Sequence, residues 1–247
     1  MSAIFDNTAY EMNVKILPEV CTSGKIKISQ LMMLHQEIGE KHLNVFGTTS
    51  KEMREDQKLA FIFTKASILI HRLPSKNEEI VVRTWCSELK GVRFTRNYQT
   101  FDLNGSPLTE AKCEVTTIDL ESRRIVRPTN IDRFDDFLYN NELENNCPAP
   151  QKIANFDNLY LAKSINATEE TIDFNGHVNN TMYADFAISV LPDNVIKSNI
   201  NKVVINFINE VMPHEIIDLY IAQTNQQCYV VSGKVGDKQS FLAQIEF

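Results

Sequence analysis

The chain has 247 residues, 43% of them apolar, and a formal charge of −7. That length suffices for one large domain or two small ones with ample core, and the acidic balance argues against nucleic acid as the main partner, because binding phosphates needs a net basic face. Five widely spaced cysteines, with no Cys-x-x-Cys pair, argue against a disulfide framework or a zinc ribbon and fit reduced thiols in a cytosolic protein. The N-terminus shows neither a basic segment followed by an apolar run nor a transit-like composition, and no stretch is apolar for long enough to span a membrane, so a cytoplasmic protein with no integral membrane part is expected.

In chain order, Tyr10 to Leu17 alternates weakly and predicts a strand ended by Pro18. From Ile28 to Phe46 the period becomes helical, with Leu31, Leu34, Ile38 and Val45 on one stripe and Gly47 placed to end the helix. Strands are predicted over 59–73, 79–88, 92–101 and 108–119, with Lys90-Gly91 and Asn104-Gly105 as hairpin signals. Pro128, Pro148, Pro150 and the Asn/Glu-rich run 140–146 break this rhythm and read as a linker with a short helix over 132–139.

The order then restarts. A strand over 159–165, a loop, a helix over 178–191 and strands over 202–209, 216–223, 227–234 and 239–247 are predicted, with Gly236-Asp237 as a last hairpin. A shift of 150 residues superposes Tyr10 on Tyr160 and Met32 on Met182, so the halves read as two copies of one unit. The organisation expected is an N-terminal unit over 1–130, a linker over 131–156 and a C-terminal unit over 157–247.

The loop before the second helix holds the reactive groups. Asp173-Phe-Asn-Gly-His-Val-Asn-Asn-Thr-Met-Tyr183 puts a carboxylate, an amide and an imidazole at alternate positions, Asp173, Asn175 and His177, with Gly176 allowing a sharp bend. Val178, Met182, Phe186 and Val190, with Tyr183, Ala187 and Leu191 beside them, predict an amphipathic helix that begins directly afterwards and stops at Pro192. Free N–H groups at such a helix start can hold the charge that develops on an ester or thioester oxygen during hydrolysis. The alternative is structural, with Asn175 or Asn179 capping the helix and His177 in a local hydrogen bond. A metal site is disfavoured, since no second His or Cys stands at ligand spacing and the Gly falls too early for a calcium loop. At the 150-residue shift Ser23, Lys25 and Lys27 occupy the places of Asp173, Asn175 and His177, which implies one reactive loop per chain.

A strand, a long central helix and an antiparallel sheet wrapped around it make the hotdog unit. Two in tandem, an α+β double hotdog, resemble the acyl-acyl carrier protein (acyl-ACP) thioesterases of bacteria and plastids. The residues 173–183 resemble that family's Asp-x-Asn-x-His-Val-Asn-Asn-x-x-Tyr, Ile205-Asn-Phe-Ile-Asn-Glu210 is similar to the segment with its catalytic Glu, and Asp119-Leu-Glu-Ser-Arg-Arg124 resembles its Asp-x-x-Thr-Arg-Arg. Phe186, Ser189 and Val115 depart from a usual Trp, Glu and Trp, and Val211 stands where plant members carry a Cys.

The resemblance implies hydrolysis of fatty acyl-ACP to a free fatty acid, which ends chain elongation, without a cofactor or metal. Its implied catalytic set is Asp173, Asn175, His177 and Glu210, with Glu210 or Asp173 as general base, or one of them attacking directly to give an anhydride. Backbone N–H groups from Gly176 to Val178 would polarise the thioester carbonyl, and Leu31, Met32, Met33, Leu34 and Ile38 would supply core and acyl pocket. The other four histidines are read as structural or exposed. An acidic carrier protein would dock on basic residues, of which Lys90, Arg93, Arg96, Arg123, Arg124 and Arg127 are the richest set. An acyl-CoA thioesterase, a hotdog dehydratase and a non-catalytic acyl-binding module are the rival readings. Two fused units can close the paired fold within one chain, so a monomer suffices, with a homodimer as the alternative.

Overall fold

A computed structural model describes residues 3–5, 8–127, 139–156, 158–196 and 199–247. The strands are β1 (Ala3–Phe5), β2 (Ala9–Lys15), β3 (Cys21–Thr22), β4 (Lys25–Ile26), β5 (Leu59–Ile70), β6 (Glu79–Lys90), β7 (Arg93–Asp102), β8 (Pro107–Asp119), β9 (Ile125–Val126), β10 (Tyr160–Asn166), β11 (Lys202–Phe207), β12 (Ile216–Asn225), β13 (Cys228–Val235) and β14 (Lys238–Glu246). The helices are α1 (Ile28–Val45), α2 (Ser50–Asp56), α3 (Met182–Ile188) and α4 (Asp193–Ile196). Among the described residues no helix is long and apolar enough to cross a membrane.

One antiparallel sheet runs β1-β2-β6-β7-β8-β5-β11-β14-β13-β12-β10, with β9 added to β8. Its two halves repeat one order. Counting each unit's five long strands from its N-terminus, both run first, third, fourth, fifth, second, and they meet where β5 pairs with β11. This is the double hotdog, with α1 and α3 as the central helices. The 150-residue shift matches β2 to β10 and brings α1 near α3, but fails beyond them because α3 has only 7 residues against 18 in α1.

Helix α1 forms where its period predicted, and Leu31, Leu34, His35 and Ile38 fall on its buried face. Lys27, at its N-cap, supplies no side-chain cap. Asp185 of α3 does so from the other half, accepting from Ser29 N at 3.3 Å and Ser29 Oγ at 2.6 Å. The floor beneath α3 is aromatic: Tyr183 stacks on Phe241 at 4.9 Å. Gly233, opposite Phe241 in register, makes room for that ring, since a Cβ there would lie 2.1 Å from it.

The second helix is shorter than predicted. Val178 pairs with Ile172 in an isolated bridge and donates its N–H to Val211 O at 2.8 Å, so the chain is still extended there. The helical stretch starts only at Met182. Most of the short helix predicted over 132–139 lies outside the described residues. The described part of the linker, 139–156, contains neither helix nor strand and is laid strand by strand across the sheet face opposite α1. Asn140 N meets Cys86 O on β6 at 2.9 Å, Asn145 Nδ2 meets Ala111 O on β8 at 3.0 Å, and Ile153 N meets Asn206 Oδ1 on β11 at 2.8 Å.

Candidate active site

The loop 172–178 closes on itself. Asp173 N donates to His177 O at 2.9 Å and Gly176 N to Asp173 O at 3.0 Å, with Gly176 at φ +84°, a conformation that side-chain-bearing residues rarely adopt. Phe174 is thrown outward, 81% exposed, and lies over the Arg54 guanidinium.

Inside the loop both oxygens of Asp173 are occupied by Asn175: its backbone N donates to Oδ1 at 2.7 Å and its Nδ2 to Oδ2 at 2.9 Å. That fixes the amide and leaves Asn175 Oδ1 enclosed without a partner among the described residues. His177 stands between two carboxylates, Nδ1 3.8 Å from Asp173 Oδ1 and Nε2 3.8 Å from Glu210 Oε1. Glu210 sits in the loop after β11, half-exposed, with Oε2 3.5 Å from Arg123 Nη2. The four residues singled out in the sequence therefore share one cluster, and Arg123 joins it from the N-terminal half, on the β8–β9 turn.

The N–H groups of Gly176 and Val178 do not serve as expected. Gly176 N is committed to Asp173 O and Val178 N to Val211 O, because closing the loop and extending the chain after it use these donors. Neither stands at a helix start, since α3 begins later.

Residues 7–131 match the family described as the acyl-ACP thioesterase N-terminal domain, and residues 159–245 match its C-terminal domain. The chain belongs to the acyl-ACP thioesterase family. As such it hydrolyses the thioester of fatty acyl-ACP and releases the free fatty acid. The fold agrees with solved structures of low identity. An acyl-ACP thioesterase from Bacteroides thetaiotaomicron VPI-5482 superposes with a TM-score of 0.89 at 17% identity over 98% of each chain. A 12:0-ACP thioesterase from Umbellularia californica superposes with a TM-score of 0.82 at 15% identity over 96% of each chain. No curated protein sequence matches.

Beside its reactive loop this acyl-ACP thioesterase has a narrow cleft with a cavity volume of about 20 Å³. Met32, Phe63, Ile68, Ala111 and Phe207 give it apolar walls, and Asn180 and Thr181, just past the loop, border it. Gln36 Nε2, from α1, lies 3.5 Å from Asn179 Oδ1 and ties the pocket helix to the loop.

Of the helix residues expected at the acyl pocket, Met32 lines it, whereas Leu31, Leu34 and Ile38 are buried core residues. Met33 is 41% exposed and faces away, because at 100° per residue it falls opposite the Leu31–Ile38 stripe. Arg96 is a second correction. On β7 it shares the inward face with Phe94 and Tyr98, packs over Gly39 of α1 and sits 3.3 Å from His42 Nδ1, so it cannot meet a carrier protein. Arg93, Arg123 and Arg124 are exposed, Arg93 3.6 Å from Glu114.

His35 was missed as a pocket residue. It lines the wall at its junction with Tyr98, and the available signal was a polar residue on the core stripe of α1. Cys113 also borders the pocket, but burial pushes its thiol up to about 12, which keeps it protonated and a poor nucleophile.

Proposed function

We propose that Glu210 and the loop 173–177 carry out the hydrolysis, with Glu210 as general base. The observation that supports this is His177 held between Asp173 and Glu210 at 3.8 Å on each side. Asp173 is committed to Asn175 through both oxygens, which suits it to orienting the loop. Among the described residues Glu210 faces an imidazole at 3.8 Å and a guanidinium at 3.5 Å, so it is the carboxylate with room for a water. Glu210 takes the water's proton as oxygen attacks the thioester carbonyl, and the carrier thiolate leaves. Catalytic contacts of this kind shorten when substrate binds.

In this reading the N-terminal unit, 1–130, supplies most of the acyl pocket and the C-terminal unit, 157–247, the reactive loop. The acidic carrier protein docks on exposed arginines at the start of β7 and around β9, Arg93 and Arg124 with Arg127.

The test is turnover of acyl-ACP by Asp173→Ala, His177→Ala and Glu210→Gln, each verified as folded. Each should lose roughly a hundredfold or more, the scale of a positioned acid or base. Single turnover in ¹⁸O water tests for the direct nucleophile, since label found in the enzyme's carboxylate means an anhydride. Hydroxylamine trapping of the enzyme during turnover tests for an anhydride that water opens at the substrate's acyl carbon. Neither signal is expected when water attacks the thioester directly. Full activity in all three variants would end the proposal.

A further inference from the structure

The pocket is mostly hydrocarbon, yet two of the residues that line it each carry a buried polar atom. His35 Nε2 and Thr181 Oγ1 are buried and have no hydrogen-bond partner among the described residues. Leaving such groups unpaired costs folding free energy, so buried polar atoms are nearly always satisfied.

Neither is explained by the fold. Thr181 precedes α3 at the N-cap position, where a threonine hydroxyl would ordinarily accept from the helix backbone, but it makes no cap bond. The nearby bond runs the other way, with Thr181 N donating to Asn179 Oδ1 at 3.0 Å. His35 stacks on Tyr98 at 4.5 Å with the rings nearly parallel, a contact that Phe would make as well. Burial lowers its pKa to about 3, which keeps the imidazole neutral. A neutral ring can donate or accept at Nε2 according to its tautomer, and a hydroxyl can do both. One comes from α1 and the other from the start of α3, on two sides of the same apolar cleft.

We propose that this pocket selects acyl chains bearing an oxygen function, a hydroxyl or an oxo group, which His35 Nε2 and Thr181 Oγ1 hydrogen-bond, over plain hydrocarbon chains. The inference rests on the reading above that the pocket holds the acyl chain. A site built around a substrate oxygen rejects the analogue without it, because the pocket's own polar atoms then stay unpaired. Such substrates arise in an extension cycle between carbon–carbon bond formation and removal of the oxygen. The enzyme would intercept them there and release oxygenated acids.

The experiment compares kcat/KM for 3-oxo, 3-hydroxy and unsubstituted acyl-ACP of matched length, by free-thiol release, in the unmodified enzyme and in Thr181→Val, His35→Phe and Asp173→Ala. The expected result is a preference of tenfold or more for one oxygenated series, collapsing toward one in Thr181→Val and His35→Phe. Valine matches threonine in shape, so that variant stands even if His35→Phe does not fold. No preference in the unmodified enzyme, or a preference that survives in Thr181→Val, overturns the inference. Asp173→Ala reports separately: full activity there on every series sinks the catalytic reading, whereas inactivity there combined with equal rates for the three series in the unmodified enzyme sinks only the pocket inference.

Discussion

Arg123 Nη2 lies 3.5 Å from Glu210 Oε2, joining a turn of the N-terminal half to a loop of the C-terminal half. Both side chains are about half exposed or more, so the pair adds little to stability. Its position matters more. Arg123 sits on the Asp119–Arg124 turn, held by Ser122 N donating to Asp119 Oδ1 at 2.6 Å and Arg123 N to Asp119 O at 2.9 Å. The turn places the guanidinium beside one oxygen of Glu210, with the other facing His177.

Arg123→Ala is therefore expected to lower kcat several-fold, and equally on acyl-ACP and on an acyl-pantetheine thioester that has no carrier protein. A docking residue would behave differently, raising KM for the carrier-linked substrate alone. Arg124→Glu should show that second pattern. If Arg123→Ala changes only KM for acyl-ACP, the guanidinium serves the carrier and not Glu210.

The cap that Asp185 places on α1 should be measurable as stability. Ser29 is fully buried, so Asp185→Ala strands its hydroxyl and a helix N–H, at about 1–3 kcal/mol. At about 2–4 °C per kcal/mol for a chain of this size, Tm should fall by about 2–12 °C. Adding Ser29→Ala should recover part of the loss, because one of the stranded groups is then gone. A Tm unchanged in Asp185→Ala would show that water replaces the carboxylate there.

Local pattern made much of this fold legible and left specific parts hidden. Helix α1 and the long strands of both halves lie within a few residues of their predicted spans, because period and turn residues report on neighbouring positions. The start of α3 was misread for a physical reason. Val178 continues the apolar period of Met182 and Phe186, but its N–H goes to Val211 O, a partner that the local period does not encode. Arg96 was misplaced because composition marks a cation without marking the strand face it occupies. The Arg123–Glu210 contact links residues far apart in sequence, in halves that meet through the pairing of β5 with β11 and the packing of α1 against α3.

The buried imidazole should leave a pH signature. His35 is held neutral in the fold down to about pH 3, whereas in the unfolded chain it protonates near 6.5. Between those values the unfolded state binds more protons, so stability falls as pH falls, by up to about 1.4 kcal/mol per pH unit from this residue. Urea unfolding at pH 7, 5.5 and 4 should show a steeper loss in the unmodified protein than in His35→Gln. Parallel losses would mean that His35 is accessible to protons in the folded state.

Two adjacent methionines provide an internally controlled test of the pocket. Met32 lines it and Met33 faces outward, though both are similar in composition and helix position. Met32→Trp adds bulk to a cleft already closed by Phe63 and Phe207, so the preferred acyl length should shorten when products are profiled by chain length. Met33→Trp should leave the profile unaltered. If both shift it alike, the effect runs through the helix as a whole; if neither does, the chain lies elsewhere and the cleft between α1 and β5 is not the acyl site.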